Sequence, residues 1–299
     1  MRAPLSVVVP TRDRPALLAD CLAALDRALG PDDEVVVVDS DSEHTDVAAI
    51  VARHRATYVR APRRGSSLAR NLGWLASRND VIGFVDDDVL VDPDWPTAVT
   101  APFSDVSVGF VTGRIDAPED DIERDYPASV FTDPEPRVID RDYLGPQGAT
   151  ANAAVRRSAL AGVGGFDERL GRGTWIDAAN DVDLFDRLIT AGWVGRYEPS
   201  ARVVHVQWRT PGQNVRLFWA YGKGMGARVA KLLYRDRHRG LRLLPQVVRI
   251  GGARTALTEA RERRRRSWLP PIAWRLGAVV GLVVGLVRLR RDQPSSALR

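Results

Sequence analysis

The stretch VIGFVDDDVLVDPDW (residues 81–95) passes from apolar chain straight into three consecutive aspartates. Val81 to Val85 read as a buried strand, and Asp86, Asp87 and Asp88 follow without a linker. Neighbouring carboxylates repel and raise one another's pKa, so three acids at a strand end call for a counter-charge. The chain before them alternates in the same way. LSVVVP (5–10), EVVVVD (34–39) and ATYVRA (56–61) are apolar strands. RPALLADCLAALDRALG (14–30), DVAAIVARH (46–54) and SSLARNLGWLASR (66–78) repeat apolar residues at helical spacing. Asp13 is a candidate N-cap for the first helix and Gly30 its candidate terminator. Continuous apolar strands between amphipathic helices predict an α/β fold whose mostly parallel sheet is covered by helices on both faces.

In open sheets of this kind ligands bind beyond the carboxyl ends of the strands. The loops PTRDR, DSDSEHT and DDDV all leave those ends. A solvated turn would also explain an aspartate cluster, but the position favours a ligand. Two carboxylates one residue apart can reach a hard divalent cation, which prefers oxygen ligands and can in turn bind a diphosphate. DSDSEHT invites comparison with a phosphatase nucleophile, yet that chemistry wants a lysine beside the phosphate and none precedes Lys223. A dinucleotide-dependent dehydrogenase is excluded because no Gly-x-Gly-x-x-Gly follows the first strand. Asp39 can instead accept a hydrogen bond from a base or ribose.

Further along, VGFVTG (108–113) reads as a strand, and residues 114 to 146 form an acidic, proline-containing stretch expected to be a long loop. NDVDLFDRLITAGW is helical, with Asp181 near its start, where an acid also suits the helix dipole. ARVVHVQW (201–208) reads as a last strand that carries His205. Such a histidine is either satisfied in the core or completes a metal site.

The ordered set VVVPTRDRP, VVVVDSDS, SLARNLG, FVDDDVLVDPDW, ANAAVRRSAL…VGGFDE and NDVDLFDRLITAGW resembles glycosyltransferase family 2 over residues 4 to 210. The resemblance implies a GT-A fold and an inverting transfer of one sugar from a nucleoside-diphosphate-sugar to an acceptor hydroxyl of a lipid-linked or cell-envelope glycan. It implies that Pro10, Thr11, Arg12, Asp39, Arg70 and Asp86 hold the nucleotide, and that Asp88 and His205 hold Mg²⁺ or Mn²⁺. By the same resemblance Asp181 is the general base, and Gly148, Asn152 and Asn180 line the donor and acceptor side. Asn180 stands where relatives carry a glutamate, and Arg12 where many have an aromatic residue. Processive relatives carry Gln-x-x-Arg-Trp; this chain has QWRT (207–210), so single-sugar addition is expected.

The formal charge of +5 hides a division. Residues 200–299 contain 22 Lys or Arg and 4 Asp or Glu, a net of +18, which leaves −13 for the first 199. The division predicts a catalytic domain over 1–215 and a basic helical extension over 216–299 that meets a polyanion. RERRRRSWLPPIAWRLGAVVGLVVGLVRLRR (261–291) joins arginines to an apolar run, Leu276 to Val287, shorter than the roughly 20 residues a spanning helix needs. Peripheral or re-entrant attachment through about 267–290 to an anionic surface, the cytoplasmic face of the cell membrane, is expected, with Trp268 and Trp274 at the headgroups. The same basic helix packed on the catalytic domain is the plain alternative. Gly277, Gly281 and Gly285 form a small-residue stripe suited to close helix approach, in a homodimer or otherwise. No fold motif accompanies the arginines, so no nucleic-acid partner is expected. Cys21 is the single cysteine, which excludes a disulfide. The first residues are too short an apolar run for a signal peptide, and a cytoplasmic setting follows from both. A non-catalytic nucleotide-sugar-binding or membrane scaffold protein is the competing class.

Overall fold

The computed structural model describes residues 2–118, 130–206, 211–248 and 269–289. Its core is one mixed sheet ordered β3-β2-β1-β4-β8-β6-β9-β5, with β7 paired to β9. The strands are β1 (Leu5–Thr11), β2 (Glu34–Asp39), β3 (Ala56–Arg60), β4 (Val81–Val85), β5 (Val89–Val91), β6 (Val108–Asp116), β7 (Arg137–Ile139), β8 (Asn152–Arg156) and β9 (Val194–His205). The half built from β3, β2, β1 and β4 is parallel, as the strand and helix alternation predicts. Beyond β4 the sheet turns antiparallel through β8, and β5 joins its far edge antiparallel to β9.

Alternate strand residues feed two cores, because successive side chains point to opposite faces. Val7, Val9, Val35 and Val37 pack with Leu18, Leu22 and Leu25 of α1 (Pro15–Ala28) and with Trp95 and Val99 of α4 (Trp95–Thr100). Val8, Val36 and Val38 pack with Leu68 and Trp74 of α3 (Ser66–Ala76), Leu160 of α5 (Arg157–Val163), and Leu184, Phe185 and Leu188 of α6 (Asn180–Thr190). A short α2 (Val47–Val51) is capped by Asp46, whose side chain accepts from Ala49 N.

Asp13 does not cap α1. It adopts a left-handed φ of 51° and its carboxylate accepts from the backbone N–H groups of Glu43 and His44, at 3.0 and 2.9 Å. That ties the loop after β1 to the loop after β2. The stretch predicted as loop from 114 contributes the end of β6 and all of β7. The last strand begins earlier than predicted, at Val194. Residues 207–210, with the QWRT sequence, lie outside the described residues, as do the arginines at 261–266 and Trp268.

The C-terminal helices are α7 (Pro211–Arg235), α8 (Arg237–Val248) and α9 (Leu269–Arg288). A domain boundary at 215 therefore falls inside α7. This helix is joined to the body by buried ion pairs: Lys231 to Asp167 and Asp183, each at 2.6 Å, and Arg228 to Asp186 at 2.7 Å. At these positions the tail's positive charge thus faces the acids of the body instead of solvent. The glycine stripe serves the same packing. A Cβ at Gly222, Gly226, Gly277 or Gly281 would overlap backbone of the facing helix, so α7 and α9 meet main chain to main chain. Trp274 is buried there with Phe218, Val229 and Leu243 and does not reach a headgroup layer.

Candidate active site

Three elements end at the same edge. Asp39 closes β2 and is buried; its carboxylate accepts from Ser42 N (2.8 Å), Tyr58 Oη (3.1 Å) and Arg60 Nη1 (3.0 Å). A carboxylate has about four lone-pair sites, so one acceptor site remains beyond these three bonds. Pro10 and Thr11 lie at the end of β1 with their side chains buried. The Thr11 hydroxyl donates to Asp87 Oδ2 at 2.7 Å. These two residues therefore support the edge, and Arg12, Asp13 and Arg14 of the first loop stay partly exposed, Arg12 paired with Glu43 at 2.6 Å.

The three aspartates have separate environments. Asp86 remains partly exposed and accepts from Arg70 Nη2 at 2.6 Å. Asp87 is fully buried. Burial, with Asp88 and Asp86 adding to it, raises its pKa to about 7 against the opposing effects of Arg14 and the Thr11 hydroxyl. Asp88 accepts from Arg14 Nη1 at 2.8 Å on one oxygen and lies 3.3 Å from His205 Nε2 on the other. Sheet register enforces this last pairing. Val89 sits opposite His205 and Val206 N donates to Asp88 O at 2.8 Å. Arg14, which also pairs with Asp87 at 3.1 Å, supplies the counter-charge that the aspartate run demands. It was missed in the sequence, although its place in PTRDR, beyond β1, is the available signal.

Asp181 lies in the first turn of α6, and Val182 N donates to its Oδ1 at 2.8 Å. It sits deep in the fold while its side chain stays partly open, and burial raises its pKa above the ordinary carboxylate range. The charges that bear on it include Arg70, which opposes the rise, and Asp86, which adds to it. Arg70 thus pairs with a strand-end acid and is also one of the charges that act on the helix acid. The guanidinium is held by the ring of Phe166, 5.8 Å from its centroid, and Phe166 meets Phe84 edge-on. Before Asp181 the backbone turns at Ala179, whose φ of 66° is unusual for a residue with a side chain. Gly224 of α7 lies against that turn, where a Cβ would stand 2.8 Å from the Ala179 methyl.

Two buried groups near Asp181 and Asp86 have no hydrogen-bond partner among the described residues: Asn180 Nδ2 and Arg70 Nε. Ser66 Oγ, one turn from Arg70 on α3, is a third. Buried polar groups without partners are costly and uncommon, and a ligand is a ready explanation. Asn152 is different. Its carbonyl oxygen accepts from Trp95 Nε1 at 2.7 Å, and its amide donates to the carbonyls of Arg114 and Ala201 at 2.8 and 2.7 Å. Fully buried and satisfied, it joins strands and does not line the donor side. Gly148 adopts φ +90° against Thr112, whose side chain leaves no room for a Cβ.

Asp88 and His205 can hold a divalent ion. One carboxylate and one imidazole leave positions for phosphate oxygens and water, the arrangement a hard cation with a diphosphate takes. Among the described residues no group of three or more His, Cys, Asp or Glu gathers into a metal cluster, so substrate oxygens would have to complete the shell.

Comparison with known proteins bears on the family and the fold. The pre-mycofactocin glycosyltransferase of Mycobacterium tuberculosis is 30% identical over 217 residues, which cover 67% of this chain and 42% of that protein. The chain thus matches less than half the length of that relative. The N-acetylglucosaminyl-diphospho-decaprenol L-rhamnosyltransferase of the same organism is 48% identical over 60 residues, 20% of this chain and 18% of that one. Among solved structures, a mannosyltransferase from Pyrobaculum calidifontis, in complex with GDP-Man and Mn²⁺, superposes with a TM-score of 0.65 at 18% identity, over 97% of this chain and 89% of that one. TarS 1–349 of Staphylococcus aureus with UDP-GlcNAc gives 0.61 at 15% identity, over 97% and 92%. These two likenesses establish the GT-A fold. The sequence profile named Glycosyl transferase family 2 matches residues 6–164. With more than half of its length so matched, the chain belongs to glycosyl transferase family 2.

Proposed function

We propose that this protein transfers one sugar from a nucleoside-diphosphate-sugar to an acceptor hydroxyl, with inversion at the anomeric carbon. What supports the reading is the ion pair of Arg70 with Asp86 at the carboxyl edge of the sheet, both of whose charges act on Asp181. Asp39 and Asp86 would receive the nucleoside, with Arg12 and Arg70 beside it. Asp181 takes the acceptor O–H proton as that oxygen bonds to the anomeric carbon. The bond from that carbon to the phosphate oxygen breaks, and its electron pair leaves with the nucleoside diphosphate. Burial makes Asp181 a stronger base than an ordinary aspartate, which suits proton abstraction. Mg²⁺ or Mn²⁺ held by Asp88 and His205 would neutralise charge on the diphosphate.

The decaprenol-linked acceptor named for one relative supports a lipid-linked or cell-envelope glycan as acceptor, met at a membrane. Asn180 lends some support to a non-catalytic binding protein, because relatives carry a carboxylate there. Metal-dependent release of nucleoside diphosphate from a donor panel separates the two readings. In the responding reaction, Asp181→Asn should lower transfer by about 10²- to 10⁴-fold and leave the donor Kd unchanged. Loss of donor binding would show that Asp181 is not the base.

A further inference from the structure

The outer face of α9 is apolar from end to end. Ile272, Leu276, Val279, Val283 and Val287 follow the i, i+4, i+7, i+11, i+15 spacing of a single helix face, and each is between 51% and 66% exposed. The opposite face, Trp274, Gly277, Ala278, Gly281 and Gly285, is buried and lies largely against α7. A helix on the flank of a water-soluble domain normally turns polar residues outward. This one turns aliphatic side chains outward along its length and adds Arg275 and Arg288, both exposed.

We infer that this face docks on an anionic lipid bilayer, with α9 lying in the interfacial plane. Charge chooses the occupant. Residues 269–289 contain no Asp or Glu, and their two arginines, Arg275 and Arg288, are both exposed. A second copy would bring like charges together across the stripe, whereas anionic headgroups supply the missing sign. No helix among the described residues is long and apolar enough to cross a membrane, which fits an in-plane helix whose inner face is committed to α7. The placement matters for the reaction site. Leu289, just past the end of α9, is buried with Leu170 and Ile176, in the loop that leads to Asp181. A lipid-seated α9 therefore holds the Asp181 side of the site near the bilayer surface. The inference goes beyond the glycosyl-transfer reading and is tested without it.

The test is co-sedimentation of the full chain with vesicles of phosphatidylcholine alone and with phosphatidylglycerol added. The protein should bind only the anionic vesicles. The variant Leu276→Ser/Val279→Ser/Val283→Ser should lose at least about tenfold in partitioning, since each aliphatic side chain withdrawn from lipid is worth that order. Its unfolding midpoint and nucleoside-diphosphate release should not change. A Val283→Cys chain labelled with an environment-sensitive dye reads insertion directly, because Cys21 is buried, and it decides the matter should the triple variant fold poorly. A blue shift on anionic vesicles supports docking. An unshifted dye, equal binding by the triple variant, no binding by the wild-type chain, or a lipid-free dimer that the triple variant dissociates would overturn it.

Discussion

Replacing Lys231 by methionine removes one cation from between two buried acids while keeping the side-chain length. Lys231 Nζ lies 2.6 Å from Asp167 Oδ2 and 2.6 Å from Asp183 Oδ1, and all three side chains are almost wholly buried. Taking one partner from a buried ion pair costs about 3–5 kcal/mol, because a charge is left without compensation. Here Asp183 keeps Arg187 at 2.9 Å and Asp167 keeps Arg169 at 2.6 Å, so the low end applies, about 3 kcal/mol. At roughly 2–4 °C per kcal/mol for a chain of this size, the melting temperature should fall by about 6–12 °C. The loss should depend on pH. Burial alone would raise the pKa of both acids, but Lys231 and the neighbouring arginines hold them below the ordinary value. That stabilisation is present above the unfolded pKa, near 3.9, and is lost as pH falls through the lower folded value. Without Lys231 the folded acids regain protons at a higher pH than in the wild type, so the gap between variant and wild type should be full at pH 7.5 and narrow as pH falls below the unfolded value of about 3.9 towards pH 3. Urea titrations at the two pH values measure it. A gap below about 1 kcal/mol at pH 7.5, or one that ignores pH, would refute the bridging role.

Transfer needs ionised Asp181, whose pKa burial raises. The acid limb of kcat/KM should therefore have its midpoint above the ordinary aspartate value of about 3.9, and a midpoint at or below that value counts against the assignment. Asp88→Asn should weaken Mn²⁺ and donor binding by about tenfold or more, since one of two protein ligands is lost; calorimetry that finds no change removes Asp88 from the metal site. Asp87 has the opposite sign to Asp183. Its folded pKa, about 7, lies above the unfolded one, so its stabilisation belongs to low pH and is lost as pH climbs from about 4 to about 7. Asp87→Asn should flatten the melting temperature between pH 5 and pH 8, and an unchanged slope would show that this proton is not taken up.

The parallel half of the sheet was legible because its signal is local: apolar runs, helical spacing and polar loops at one edge. Asp88 and His205 were brought together by the family resemblance alone, and no local pattern in the sequence shows why they meet. That depends on β5 pairing with β9 across more than a hundred residues. Asn152 shows the opposite failure. Its residue type suits a sugar-binding wall, and only the fold reveals that all its hydrogen bonds hold Trp95, Arg114 and Ala201. Asp13 looked like a helix cap because it precedes a proline-led helix; tertiary hydrogen bonds to the next loop prevailed. Trp274 and the glycine stripe were read against lipid or another helix in general. Their partner is α7, and no periodicity identifies a partner.

A sequence pI near 9.8 describes a chain titrated in isolation, every ionisable group bathed in water. In the folded molecule Arg228, Lys231 and Arg239 are lodged against Asp186, Asp183 and Asp167, so their fields cancel within a few ångströms. What an ion-exchange resin or a negatively charged polymer encounters is the remainder, set by arginines that stay outside. At these three positions the basicity of the tail is the internal counter-ion of its own acidic partner.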